Sequence, residues 1–278
     1  MKILKNALDF YINASIHVGL SCFLLVITSQ FYFNIPYDFK MAFFVFFGTI
    51  VGYNFVKYEA LFRIKKAKIN PKLKFIFSTS FSFFLAVVFC FFQLNKWTQL
   101  VSIALLIMTL LYALPFFPNQ RNARNWSGFK IYIVSLCWVG ATVVLPILNA
   151  EISINLDFYL ICIQRFILIF VLILIFEIID LKVDDPHLKT VPQQIGVKLT
   201  KQLGYLLLFL YCFLEVFTSN FSFQILLLQL ILIVVIALFL FFANEKRSKY
   251  YTSFWVESVP IMWWLMVLVF KFNNFVLG

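Results

Sequence analysis

Charge is what this chain has least of. Only 13% of its 278 residues are charged, while 63% are hydrophobic. A water-soluble domain is roughly a quarter charged and about half apolar. Too little polar material remains to cover a water-facing surface, which excludes a soluble domain. A bilayer accepts an apolar exterior, provided that the backbone satisfies its own hydrogen bonds. Histidine is scarce too. His17 and His187 stand alone without ligand spacing, so neither is assigned a role. No cysteine belongs to a C-x-x-C pair. Cys22, Cys90, Cys137, Cys162 and Cys212 all lie inside apolar runs, as small core or lipid-facing residues do, rather than disulfides or metal ligands. Also missing is a small-x-small cleavage site after the first apolar run, 16–33, which is itself long for a signal peptide.

Basic residues, by contrast, outnumber acidic ones, and the net charge is +11. Their placement excludes a nucleic-acid surface. Lysine and arginine fall in short loops between apolar runs, where they fix the orientation of a membrane protein. About 20 apolar residues at ~1.5 Å each cross a ~30 Å hydrocarbon core. Nine runs meet that need: 16–33, 39–56, 75–94, 98–117, 131–148, 158–179, 203–217, 223–243 and 254–272. The seventh is short unless it begins near Val197. The expected fold is all-α: a polytopic bundle of nine transmembrane helices forming a single membrane-embedded domain over residues 1–278.

With nine spans, 19 of the 23 basic residues fall on one side and three on the other, with Arg165 inside the sixth span. This predicts a multi-pass protein of the inner, cytoplasmic cell membrane, with the N-terminus in the cytoplasm and the C-terminus outside. The long loops all lie on the cytoplasmic side, so that side is expected to be the working face.

The most informative segment is 176–198, F-E-I-I-D-L-K-V-D-D-P-H-L-K-T-V-P-Q-Q-I-G-V-K. Glu177, Asp180 and Asp184 are spaced by three and four, so a helix places them on one face at the inner mouth of the sixth span. Carboxylates there suit Mg²⁺, which keeps several waters and bridges one or two carboxylates to a phosphate. The plainer alternative is a solvated loop that ends the helix.

This segment resembles the second aspartate-rich motif of the UbiA superfamily of intramembrane prenyltransferases, D-x-x-D-x-x-x-D with a Lys-Thr-Leu-Pro-like stretch and a glycine after it. Here the matching residues are Glu177, Asp180 and Asp184, then Lys189, Thr190, Val191, Pro192 and Gly196. The loop after the fourth span also resembles the family in Tyr112, Arg121, Arg124, Gly128 and Lys130. The first family motif, N-D-x-x-D-x-x-x-D, is degenerate. Asn54 is in place, but the aspartate positions hold Phe55, Tyr58 and Phe62, and Glu59 is out of register.

The resemblance implies a UbiA-like bundle and a Mg²⁺-dependent transfer of a prenyl group from its diphosphate to a lipophilic, often aromatic, acceptor, as in quinone synthesis. Asp180 and Asp184 are then the catalytic carboxylates, with Glu177 as a third metal ligand. Asn54, Lys57 and Tyr58 share one helical face. Lys57 is expected to replace the second metal by binding the diphosphate directly, as an ammonium can, assisted by Arg121, Arg124 or Lys130; the plainer alternative is a positive-inside lysine pointing to lipid headgroups. Tyr112 and Lys189 complete the expected substrate-binding residues. The alternative is a non-catalytic relative that binds an isoprenoid, quinone or other lipid. A transporter ranks last, because the polar residues gather at one mouth rather than at the midplane.

Charges within spans are costly and usually paired. Arg165 and Glu215, in consecutive spans near the outer surface, are expected to form an ion pair. Glu257 enters the ninth span beside the cytoplasm, facing either a cavity or the headgroups. Trp255, Trp263 and Trp264 include candidate interfacial anchors.

Overall fold

The computed structural model describes residues 2–63, 71–115, 128–219 and 221–277. Among them there is no strand. The helices are α1 (Lys2–Asn13), α2 (Ile16–Tyr32), α3 (Phe39–Arg63), α4 (Pro71–Phe91), α5 (Lys96–Ala113), α6 (Lys130–Val139), α7 (Leu145–Asn149), α8 (Leu156–Asp180), α9 (Val191–Glu215), α10 (Phe223–Phe242) and α11 (Val259–Leu277). A π-helical turn, Gly140–Val144, joins α6 to α7 into one span, and a second, Tyr251–Val256, leads into α11. Eight helical stretches are long and apolar enough to cross a membrane, or nine if α1 and α2, bent by 61°, count as one.

The helices close into a ring. Helix α2 packs on α3 and α11, α3 on α5, α5 on the α6–α7 span, α6 on α8, α8 on α9, α9 on α10, and α10 on α11. Helix α4 packs on α3 and leaves Phe75, Phe81, Phe84 and Phe89 exposed. In a bilayer that face meets lipid, which is as apolar as phenylalanine itself. Small residues bring backbones close: a Cβ on Gly204 of α9 would lie 2.5 Å from Leu240 of α10. One end of the ring gathers Lys57, Lys72, Lys130, Lys182 and Lys249, and is called the basic end below.

Helices that start at the opposite end are capped by side chains. Asn95, Asn155 and Ser222 accept from the backbone N–H groups of Thr98, Phe158 and Ile225. These caps supply acceptors for amides that a membrane environment leaves without water.

Two charges lie in the interior, and they are not a pair. The Arg165 guanidinium donates to the Thr142 hydroxyl (2.9 Å), the Ser29 hydroxyl (3.1 Å) and the Leu25 carbonyl (3.4 Å), with its carbon 5.4 Å from the Trp263 ring. Glu215 instead accepts from the amides of Gln164 (3.0 Å) and Gln229 (2.6 Å). The expected Arg165–Glu215 ion pair is therefore replaced by two neutral cradles. The reason is helical geometry: Gln164 and Arg165 are neighbours on α8, so they point about 100° apart, and α9 meets the glutamine.

Candidate functional site at the basic end

The carboxylates of α8 do not act together. Glu177 is buried, and its Oε2 accepts from the Val191 N–H at 3.0 Å. It satisfies the first amide of α9, a position where a negative charge is also favoured by the helix dipole. Asp180 ends α8, and its carboxylate has no hydrogen bond or ion pair among the described residues. Asp184 follows one turn later, its backbone N–H donating to the Asp180 carbonyl at 2.8 Å. Its Oδ2 is buried without a hydrogen bond, with the Lys130 ammonium 3.8 Å away. Lys130 and Asp184 lie within Coulombic reach of both Glu177 and Asp180.

The loop before α6 and the loop after α8 are held together. The Gly128 N–H donates to the Leu188 carbonyl at 3.1 Å, with Gly128 at φ +72°. A side chain disfavours that conformation, so glycine is needed there. Lys189 is exposed, in the left-handed region at φ 45°, and its carbonyl accepts from the Gln194 amide. Past this corner, the Gln193 side-chain Oε1 accepts from the Thr190 N–H at 2.9 Å, and α9 begins with Pro192 in its first turn. The helix then breaks at Gly196, with φ 79° and ψ 159°. The long straight part of the seventh span thus starts at Val197.

The face of α3 expected to meet substrate turns elsewhere. Asn54 accepts from the Ser15 hydroxyl (2.8 Å) and donates to the Ala14 carbonyl (3.1 Å) and the Ser80 hydroxyl (2.8 Å). Lys57 Nζ and the Tyr58 hydroxyl both donate to the Asn13 carbonyl, at 3.3 and 2.9 Å. All three residues hold the elbow between α1 and α2, where Ser15 sits at φ 58° and breaks the helix. The bend exposes carbonyls, and polar side chains on α3 are the donors that meet them.

Beneath the mouth lies an aromatic wall that the sequence analysis did not assign. Trp138 Nε1 donates to the Tyr53 hydroxyl at 2.8 Å, with the rings edge to face at 6.4 Å. Tyr112, buried, lies within Coulombic reach of Tyr53. Tyr53 directly precedes Asn54, but no spacing in the sequence connects it to Trp138, 85 residues away. Arg121 and Arg124 fall outside the described residues.

No protein-family model matches this chain, and no curated protein matches it. Solved structures do. Along 97% of this chain and 97% of its own, a digeranylgeranylglyceryl phosphate synthase is similar at 16% identity and a TM-score of 0.57. A UbiA homologue from Aeropyrum pernix K1 covers 93% of this chain and 96% of its own, at 16% identity and a TM-score of 0.60. A UbiA homologue from Archaeoglobus fulgidus, bound to Cd²⁺, covers 95% and 94% at 14% identity and a TM-score of 0.54. The fold is that of the UbiA homologues. The likeness runs along nearly the whole ring, so it includes both the α8 mouth and the α1–α2 elbow.

The donor set decides what metal the UbiA-like mouth fits. Among the described residues, no three ligating side chains converge. The spacing of Glu177, Asp180 and Asp184 led to that expectation, but Glu177 is turned to Val191. Asp180 has no bound partner, and Asp184 carries a buried oxygen without a hydrogen bond. Asp180 and Asp184 are the two residues that would be left to hold a divalent cation such as Mg²⁺, which one or two carboxylates can bind.

Proposed function

We propose that this protein is a membrane prenyltransferase, moving a prenyl group from a prenyl diphosphate to a lipophilic acceptor. The observation that carries the reading is the pair Asp180 and Asp184, not spent on helix ends, facing Lys130 at the mouth of a UbiA-fold bundle. A simple lipid binder has no need for two such carboxylates beside an ammonium, because each charge costs desolvation.

In this reading Asp180 and Asp184 hold Mg²⁺, and Lys130 attracts the diphosphate. Lys189, exposed on the corner after α8, adds positive charge at the rim. A Mg²⁺ held by Asp180 and Asp184 would supply charge neutralisation for the leaving diphosphate. The allylic carbon lies deeper, where π faces favour its developing positive charge. Tyr53, Trp138 and Tyr112 line that level, and the apolar ring keeps water from quenching it. The acceptor is lipophilic, because the interior below the mouth is built from apolar and aromatic side chains.

A second reading has its own support. The α3 face that matches the first family motif serves the elbow, as a relative that binds prenyl lipids without chemistry would permit. A transfer assay separates the two. The full-length protein in native membranes is incubated with radiolabelled geranylgeranyl diphosphate and Mg²⁺, and label is followed into lipid products. Transfer is expected, falling at least ~100-fold in Asp180→Asn and in Asp184→Asn. Binding without transfer in the wild type is the outcome that selects the binder.

A further inference from the structure

One carboxylate in the bundle has no structural employment. The π-helical turn before α11 lets the Glu257 N–H donate to the Thr252 carbonyl, five residues back, at 3.1 Å. The Ser21 hydroxyl of α2 donates to the Glu257 carbonyl at 2.6 Å. Glu257 is thereby fixed against the interior wall of α2, about five residues in from its start. At ~1.5 Å per residue, this lies roughly 8 Å inside the basic end, a layer deeper than Asp180. The side chain is half-buried, and its carboxylate makes no hydrogen bond and no ion pair among the described residues.

Groups from several helices surround it. Tyr11 of α1, Cys22 of α2, and Tyr53 and Lys57 of α3 all lie within Coulombic reach. The turn directly before it packs on α8, the helix of Asp180. A headgroup contact does not explain it, because the Ser21 bond and Cys22 place it inside. Lys57 acts on it across space, but the ammonium binds the Asn13 carbonyl and makes no salt bridge with Glu257. An acid inside a membrane bundle, half-reachable and unpaired, is retained at a desolvation cost and marks a functional site.

We propose that Glu257 is the proton acceptor of the transfer step and faces the hydroxyl of the acceptor substrate. This rests on the prenyl-transfer reading above. As the bond from the allylic carbon to the diphosphate oxygen breaks, its electron pair leaves with the diphosphate. The acceptor oxygen gives a lone pair to the allylic carbon, forming the ether bond. The proton of that hydroxyl passes to a Glu257 carboxylate oxygen, and it returns to water when product leaves. The arrangement is layered: diphosphate at Asp180 and Asp184, allylic carbon at the aromatic wall, acceptor hydroxyl at Glu257. The acceptor class is therefore a lipophilic alcohol or phenol.

The test uses the full-length protein in nanodiscs made from total membrane lipid of its own cells, which supplies the natural acceptor. Radiolabelled geranylgeranyl diphosphate is the probe. Donor Kd, transfer rate and Tm are measured for the wild type, Glu257→Gln and Glu257→Asp. Glu257→Gln should keep the donor Kd within about twofold and the Tm of the wild type, while transfer falls at least ~100-fold, the usual scale for losing a general base. Glu257→Asp should recover part of the rate. A Glu257→Gln protein that transfers at the wild-type rate overturns the assignment, as does one that loses donor binding in parallel. A wild type that binds no donor, or binds it without transfer, overturns the prenyl-transfer reading itself, and this inference with it.

Discussion

Asn54, itself buried, makes three hydrogen bonds, to Ser15, Ala14 and Ser80. Each net bond contributes about 0.5–1.5 kcal/mol, and a buried group left unpaired costs about 1–3 kcal/mol. Asn54→Leu keeps the volume and removes all three, so stability should fall by about 2–4 kcal/mol, read from thermal unfolding in detergent. Because the Ala14 carbonyl at the elbow loses its donor, protease sensitivity near residues 13–16 should rise as well. Arg165 and Glu215 give a second residue-scale prediction. Their partners are separate sets of neutral groups. A double-mutant cycle of Arg165→Leu and Glu215→Gln should show coupling below about 0.5 kcal/mol, the additivity of independent sites. A coupling of several kcal/mol would restore the ion pair. The sequence showed both charges but not their partners. Gln164, Gln229, Ser29 and Thr142 become visible as partners only when five spans are packed. The same holds for Asn54, whose bonds to Ser15, Ala14 and Ser80 come from the bend at Ser15 and from α4.

The entrance to α9 is the element on which the basic end depends. Glu177 accepts from Val191, and Gly196 then turns the chain at φ 79°. Glu177→Gln retains an oxygen for the Val191 N–H, so it should cost little. Glu177→Ala leaves that buried amide without its acceptor and should cost about 1–3 kcal/mol. Equal loss in both variants would show that charge, and not the acceptor, is what matters there. Gly196→Ala puts a Cβ at positive φ, which is worth about 1 kcal/mol or more in strain. Since the strained corner positions Lys189 and the loop facing Gly128, Mg²⁺-dependent donor binding should weaken along with the Tm. This element was partly legible: the seventh run is short unless it begins near Val197, and the straight part of α9 does follow the break at Gly196. Its cause was not, because the bond from Glu177 joins residues 14 apart across a turn. The elbow of α1 was less legible still. Its residues 2–13 precede the first apolar run, and the 61° bend appears only with the α3 side chains in place.

At the scale of the whole molecule, the nine apolar runs correspond to helices, eight in one ring and α4 packed outside it on α3, because run length and lack of charge are enough to mark spans. Their order in the ring is not in the runs, since every face is apolar. The small residues and buried amides that set the order are scattered singly. Charge asymmetry makes a separate prediction: a reporter fused after Gly278 should lie outside the cytoplasm, and one placed within residues 63–74 should lie inside. Finding both on one side would remove the nine-span topology and the cytoplasmic placement of the α8 mouth.

The most direct test of the central claim is equilibrium binding of radiolabelled geranylgeranyl diphosphate to the purified full-length protein in nanodiscs, across a Mg²⁺ titration. If Asp180, Asp184 and Lys130 form a diphosphate site, binding is saturable, rises with Mg²⁺ and is abolished by a chelator. Binding that is absent, or that is unchanged when Mg²⁺ is removed, would contradict it.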